Sequence, residues 1–173
     1  REQQLRPSPA IRKAWKSLLS PQSTGPLLSP SAAGPLVTTI WSQGCYFNDQ
    51  CPADQAGPCG HVVTGCVATA MAQVMNYYRY PANGSGAHSY SSPYGTLAAN
   101  FDTASYIWSS MPDTLNSTSS SQEVFQVAQL MSHCGISASM NYSAGASGAY
   151  SSDAKNAMVH YFNFSKDFFF CAD

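Results

Sequence analysis

Charged side chains are scarce in this chain: they make up 10% of its 173 residues, and the formal net charge is −1. The chain therefore lacks the basic footprint of a nucleic-acid-binding protein and the charge block of an acidic tail, so we expect no nucleic-acid partner. Long apolar runs are also missing, since none approaches the roughly 18 residues of a membrane span. We expect no membrane span. The abundant Tyr, Ser, Asn and Gly are typical of secreted proteins.

The beginning of the chain lacks a secretory leader, because Arg1 to Gln4 lead into no apolar segment. It also lacks an initiator Met, which predicts a processed product. Six cysteines, at positions 45, 51, 59, 66, 134 and 171, are many for a cytosolic protein of this size and indicate an oxidising compartment. We expect a secreted or cell-surface protein.

Residues 1–35 differ from the rest of the chain, because they carry five of its eight Lys and Arg residues. Ser8 and Pro9 are typical of a helix start. The segment from Ser20 to Pro35 holds four prolines and two glycines, which favours an extended, exposed linker. We predict a short helix and a protease-sensitive tether ahead of a domain at 36–173.

Cys66 lies at the start of the clearest helical pattern, residues 64–80, which read TGCVATAMAQVMNYYRY. Thr64 and Gly65 are suited to a helix cap and entry, and Pro81 prevents continuation. A cysteine in the first turn is favoured as a thiolate, the nucleophilic form. Position alone leaves open a nucleophile, a small buried hydrophobe or half of a disulfide. Apolar residues at helical spacing predict one buried face, made of Val67, Ala70, Met71, Val74, Met75 and Tyr78.

The other segments predict a mixture of helices and short strands, hence an α+β fold. A strand is expected at 36–41 and another near 88–91. A second helix is expected to be capped by Ser121 and stopped by Gly135, with His133 as a partner of its dipole. A third helix begins at Ser152. The aromatic run 168–170 favours burial, so we expect more polypeptide to follow Asp173 and to cover it.

The cysteine-dense segment 45–66 allows several arrangements. A Cys51–Cys59 or a Cys45–Cys51 bridge is feasible, and sequence cannot decide the pairing. If Cys66 is free, the odd remainder requires another free thiol or a bridge to a partner chain. Zinc is a minor alternative with Cys51, Cys59, His61 and Cys66 as ligands, but the paired C-x-x-C spacing is absent. We predict no metal and no cofactor.

Four segments in order, LVTTIWSQGCYFNDQCP, GHVVTGCVATAMAQVMNYYRYP, YIWSSMP and MNYSAGASGAYSS, resemble the streptopain-like cysteine peptidases, peptidase family C10. The resemblance covers about residues 36–165 and implies a papain-like fold. It implies that Cys66 is the nucleophile and that Gln43 helps to form the oxyanion hole. It also implies that Ser147 and Gly148 line the substrate cleft, and that residues 1–35 are a remnant of a propeptide.

The resemblance stops at the catalytic base. A cysteine peptidase needs a histidine to activate the thiol and to protonate the leaving amine. In the family this histidine lies in a GGHA element, followed by an Asn-Trp element, and neither occurs here. The histidines at 61, 88, 133 and 160 lie outside such a context. The chain therefore corresponds mainly to the helical, nucleophile-bearing half, without the β-rich, histidine-bearing half.

These features together predict a cysteine endopeptidase that hydrolyses polypeptides through a thioester on Cys66. The resemblance implies hydrophobic side chains in the main specificity pocket. We expect the C-terminal part of the same precursor to supply the histidine as a second chain after cleavage near Asp173; a second half that is simply absent is the other explanation. The alternative function is an inactive, disulfide-stapled binding or inhibitory fragment.

Overall fold

Three α-helices, two short 3-10 helices (Pro58–Gly60 and Trp108–Ser110) and one hairpin make up the regular structure of residues 35–166, the part of the chain that the computed structural model describes. The helices are α1 (Cys66–Tyr78), α2 (Ser121–Ser137) and α3 (Ser151–His160), and the strands are β1 (Ala87–Ser92) and β2 (Gly95–Asn100). This combination of helices with a small antiparallel sheet agrees with the predicted α+β class. The predicted N-terminal helix, nearly all of the tether and the aromatic run 168–170 lie outside the described residues. Among the described helices, none is both long and apolar enough to cross a bilayer.

The longest helix, α2, lies at the centre of the core, where it contacts α1, α3 and both strands. Ser120, one residue before the predicted cap, begins it: its Oγ accepts from the Glu123 N–H at 3.3 Å, and its N–H donates to Glu123 Oε2 at 2.7 Å. This reciprocal pair satisfies two otherwise unpaired groups. Gly135 does not stop the helix as predicted. The Tyr142 hydroxyl lies where a side chain at this position would be, so glycine provides room for Tyr142.

Helix α1 has nearly the predicted limits, because Gly65 begins it and Arg79, in the left-handed conformation, ends it. Its predicted buried face is only partly correct. The residues that it buries are Ala68, Thr69, Met71, Ala72 and Met75, whereas Ala70 and Tyr78 are exposed. The helix is apolar on two sides, and sequence periodicity alone does not show which side this core covers.

The hairpin contains the predicted strand near 88–91 together with a partner that was not predicted. The antiparallel pairing runs from Ala87 opposite Asn100 to Ser92 opposite Gly95. β2 reads GTLAAN, which is poor in β-branched and aromatic residues, so its strand tendency is weak. At the tip, the Tyr94 hydroxyl donates to Asp54 at 2.7 Å, and this bond lowers the pKa of Asp54. The tip is thereby joined to the cysteine-dense segment.

Residues 36–41 do not form the predicted strand. Ile40 N–H donates to Asp113 O at 2.9 Å, and the Trp41 indole donates to Pro112 O at 2.8 Å. The Thr39 hydroxyl donates to Gln73 of α1 at 3.0 Å. The segment is an extended strap that is attached mainly through side chains, so it lacks the repeated backbone ladder of a strand.

Cys45 and Cys59 form a disulfide with a Cα–Cα distance of 5.3 Å, so neither of the two bridges considered feasible is formed. Cys51 does not take part in a bridge because its side chain lies in the core, with 5% of the residue's surface exposed. Cys59 is exposed and Cys45 half-buried. Cys51 and Cys134 are free and buried. The bridge joins residues 14 positions apart, which restricts the unfolded chain and adds about 3 kcal/mol to the free energy of unfolding.

His133 is not a charged partner of the α2 dipole. Its Nδ1 lies 2.9 Å from the Tyr106 hydroxyl, and Phe101 packs edge-on against its ring. Burial lowers its pKa from 6.5 to about 4. The imidazole is therefore uncharged at neutral pH.

We predict that the fold loses stability in mild acid through His133. The imidazole of the unfolded chain takes up a proton below about pH 6.5, whereas that of the folded chain does so only near pH 4. Protonation therefore favours the unfolded state, and this destabilisation is absent at pH 7 and grows as the pH falls. The free energy of unfolding should drop by about 2–3 kcal/mol between pH 7 and 4 from this group. His133→Gln should flatten urea-unfolding profiles in that window, and the exposed His160→Gln should not. An unchanged slope in His133→Gln would contradict the assignment.

Candidate active site

Cys66 is the first residue of α1, and its thiol is exposed. The first hydrogen bond of the helix runs from Thr69 N–H to Gly65 O at 3.1 Å. The N–H of Cys66 therefore has no partner within the helix. An exposed thiol and an available N–H lie on the same residue, at the positive end of a helix dipole.

Gly65 is the N-cap of α1, at φ 88° and ψ 142°, a backbone conformation that favours glycine. A Cβ here would lie 2.9 Å from Met140 Sδ and 3.0 Å from Ser147 O. Thr64 is not a side-chain cap, contrary to expectation. The Thr69 hydroxyl donates to Gly65 O at 3.1 Å, so it accepts from the Thr64 hydroxyl, 3.0 Å away. Both threonines are buried and hold the turn before Cys66 in place.

Gln43 is held next to this turn through its backbone. Thr64 N–H donates to Gln43 O at 3.0 Å, which connects Gln43 to a residue two positions before Cys66. Gln43 is half-buried. Its side-chain amide makes no hydrogen bond to any residue in the range 35–166, so the amide remains available to a ligand.

Ser147 and Gly148 also lie beside the turn before Cys66, but their own polar groups are largely occupied. Ser147 is buried, and its Oγ donates to Val63 O at 2.6 Å and accepts from Ser143 N–H at 3.1 Å. Gly148 N–H donates to Asn141 O at 3.1 Å, and its carbonyl accepts from Asn141 N–H at 2.9 Å. The Ser147 hydroxyl is thus a support for the segment that leads to Cys66.

The sequence did not reveal two of these supports. Thr69 follows Gly65 by four residues, the spacing at which a Thr hydroxyl can bond a helix carbonyl, and this signal could have been used. The bond from Ser147 to Val63 spans 84 residues, and a serine in a Ser-rich loop carries no sign of it.

None of the four histidines lies in a hydrogen bond with Cys66 in the described part of the chain. His61 Nδ1 is 2.8 Å from Cys51 O, and His160 Nδ1 is 2.8 Å from Asn156 O. His88 contacts Ser139 and Tyr161 through its two ring nitrogens. His133 is bound by Tyr106.

The remaining thiols differ from Cys66 in exposure. Burial raises the pKa of Cys51 to about 12 and also raises that of Cys134. Both are therefore protonated at neutral pH. The ligand set considered for zinc is not assembled, since Cys59 is in the disulfide; residues 35–166 contain no group of three His, Cys, Asp or Glu side chains arranged for a metal.

Comparison with known proteins gives the family. A model described as the Peptidase C10 family matches residues 41–172. The chain belongs to the peptidase C10 family. This family consists of cysteine peptidases, and the match contains helix α1 with Cys66, the loop around Gln43 and the small-residue loop, residues 141–150.

Individual C10 relatives agree with the match. Streptopain from Streptococcus pyogenes is 32% identical over 123 residues, 66% of this chain and 31% of that protein. The thiol protease/hemagglutinin PrtT of Porphyromonas gingivalis is 30% identical over 130 residues, 73% of this chain and 15% of that protein. The chain thus spans a third or less of these relatives.

Two solved structures from Prevotella intermedia have a similar fold. Active interpain A cysteine protease is 38% identical with a TM-score of 0.67, covering 74% of this chain and 54% of its own. A prointerpain A fragment is 36% identical with a TM-score of 0.70, covering 88% of this chain and 50% of its own. The described fold is therefore that of papain-like C10 proteases.

We predict selective alkylation of Cys66. Iodoacetamide at pH 7.5 should label Cys66 at least 100-fold faster than Cys51 or Cys134, because both of these are buried and protonated. Peptide mapping by mass spectrometry measures each rate. The same reaction in urea is the control and should remove the difference. Equal labelling without urea would show that the burial described above is wrong.

We also predict that Gly65 cannot accept a side chain. Gly65→Ala places a Cβ against Met140 and Ser147 at positive φ, which should lower the free energy of unfolding by about 2 kcal/mol or more. Gly145→Ala is the matched control, because a Cβ there meets nothing within 4 Å, and its effect should stay within about 0.5 kcal/mol. Denaturant unfolding compares the two, and equal midpoints would refute the constraint.

Proposed function

We propose that this chain is the nucleophile-bearing part of a cysteine endopeptidase that cleaves peptide bonds through a thioester on Cys66. The observation that carries the proposal is the pairing of an exposed Cys66 at the start of α1 with Gln43, held beside it by the bond from Thr64 N–H to Gln43 O. Membership of the C10 family supports the same chemistry.

In the proposed reaction, the Cys66 thiolate attacks the scissile carbonyl carbon. The oxygen becomes negative, and the Cys66 N–H and the Gln43 side-chain amide donate hydrogen bonds to it. Collapse of this intermediate breaks the C–N bond, and the amine leaves with a proton from a histidine. Water then attacks the thioester through a second tetrahedral intermediate and restores the thiol.

The histidine is proposed to come from a C-terminal segment or second chain. The four histidines described above have other partners. A second apolar side of α1 also supports an additional covering segment: Val67 and Val74 are half-buried, and Ala70 and Tyr77 are exposed. A helix that is apolar on both sides is usually buried on both sides. The matched solved chains are about twice the length of the aligned region.

Substrates are proposed to be polypeptides with hydrophobic side chains in the main pocket, lying along the loop that contains Ser147 and Gly148. A secreted or cell-surface location is supported by the bridge from Cys45 to the exposed Cys59, because disulfides persist in an oxidising compartment. A bacterial source is supported by the bacterial organisms of the relatives. Residues 1–35 are proposed to be a remnant of a propeptide.

We predict distinct effects of two substitutions in the precursor, the chain together with the polypeptide that supplies the histidine. Cys66→Ala should abolish hydrolysis of a fluorogenic peptide. Gln43→Ala should lower kcat about 100-fold or more, because one donor to the oxyanion is lost. The exposed Gln55→Ala, in the same part of the chain, is the control and should leave kcat unchanged.

Three outcomes would contradict the proposal. An unchanged kcat in Gln43→Ala would remove Gln43 from the oxyanion hole. Hydrolysis by the 173-residue chain alone would show that its base lies within it. A precursor with an alkylatable Cys66 but no hydrolysis would favour the inactive binding fragment.

A further inference from the structure

The Gln43 loop, residues 42–48, is attached to the segment 58–64 at three points. Gln43 O accepts from Thr64 N–H at 3.0 Å, and Cys45 is joined to Cys59 by the disulfide. The third point is Asn48, which is fully buried. Its Nδ2 donates to Pro58 O at 2.8 Å and lies 3.2 Å from each of the carbonyl oxygens of His61 and Val62. Because the segment 58–64 leads directly into Gly65 and Cys66, these contacts place the proposed oxyanion donor relative to the nucleophile.

The Gln43 loop needs such attachment, because it contains no helix or strand. Tyr46 lies at φ 73°, a left-handed conformation that a non-glycine residue adopts at a cost. On its C-terminal side the loop is held by the buried Phe47 and Asn48. On its N-terminal side, Gln43 is held by one backbone hydrogen bond and by the disulfide two residues away. The disulfide is therefore the covalent restraint nearest to Gln43.

The disulfide is also accessible to reductants, since Cys59 is exposed and Cys45 half-buried. Cys51 lies between them in sequence but cannot exchange with them readily. It is buried, and burial raises the pKa of its thiol to about 12, so hardly any thiolate is present at neutral pH. Within residues 35–166, a reducing or alkylating reagent in solution therefore meets two reactive sulfur sites, Cys66 and this bridge.

We propose that the Cys45–Cys59 disulfide positions Gln43 for catalysis, so that the enzyme needs Cys66 reduced and this bridge oxidised at the same time. This inference rests on the proposed function. A dithiol reductant breaks the S–S bond by supplying two electrons and two protons, which form the thiols of Cys45 and Cys59, and the dithiol becomes a cyclic disulfide. Activity should therefore rise and then fall as the reductant concentration increases.

The test uses Cys45→Ser/Cys59→Ser in the histidine-bearing precursor, with Asp49→Ala, exposed in the adjacent turn, as the control. We expect kcat to fall 10- to 100-fold with KM changed less than threefold, because Ser147 and Gly148, proposed to line the substrate cleft, are held by Val63, Ser143 and Asn141 and not by the bridge. The rate of Cys66 alkylation by iodoacetamide should be unchanged, since that reaction does not depend on Gln43. Asp49→Ala should match the wild type in all three measurements.

A double-mutant cycle separates positioning of Gln43 from a general structural role. In a Gln43→Ala background, loss of the bridge should lower kcat less than twofold further. Once Cys66 is fully reduced, further dithiothreitol should lower the kcat of the wild type in step with the appearance of alkylatable Cys45 and Cys59, and the double-serine variant should show no such fall.

The outcomes distinguish this inference from the function on which it rests. Absence of hydrolysis by the wild-type precursor would overturn both. A kcat within twofold of the wild type in the double-serine variant would overturn the positioning role alone. If removal of the bridge lowered kcat by a further 10- to 100-fold in the Gln43→Ala background, the positioning role would also be overturned, because the bridge would then act on the fold as a whole.

Discussion

The hydrogen bond from Thr64 N–H to Gln43 O is the contact on which the candidate site depends. It joins two parts of the chain that are separate in sequence, a loop without regular structure and the entry to α1. Thr64 is itself buried, with its hydroxyl bound to Thr69. Because the turn on one side is fixed by the helix, the loop on the other side acquires a defined position. A bond between backbone atoms can do this without any particular side chain at position 43.

A second set of contacts converges on the same few residues. Ser147 holds Val63 through its hydroxyl, and Met140 lies against Gly65. Cys66 is therefore placed by the residues just before it, which are held from three directions. Cys66 makes no comparable side-chain contact in the described residues. Its exposure is compatible with reaction, whereas the buried Cys51 and Cys134 are protected by the core.

The sequence predicts those features that depend on local chemistry. Gly65 and Pro81 indicate the limits of α1, and the chain of apolar residues after Cys66 indicates a helix. It does not predict which apolar side of α1 is buried, because that depends on where α2 packs. The partner of Cys45 is equally non-local: Cys51 is nearer in sequence, but its side chain lies in the core. β2 is missed because Ala and Asn have little strand preference of their own.

The site residues follow from resemblance rather than from pattern. Periodicity left Cys66 open between a structural and a reactive role, and nothing in the spacing of Gln43 distinguishes it from a surface residue. The structure shows that Gln43 lies near the segment before Cys66, through its bond to Thr64, and that Ser147 holds this segment at Val63. No sequence motif shows either contact. For Gly148, it places both backbone groups in a pairing with Asn141, a detail that only the folded loop reveals.

In the small-residue loop, the residues that attach it to the fold differ from the residue that lies in open space at its tip. The Ser147 hydroxyl attaches it to Val63, and the Ser143 hydroxyl closes the turn on Ala146, whereas Gly145, between them, has open space around it. Mutations at the tip can therefore accumulate during evolution without disturbing the segment that carries the thiol. In the proposed peptidase, such substitutions would alter the loop beside the cleft and leave the position of Cys66 unchanged.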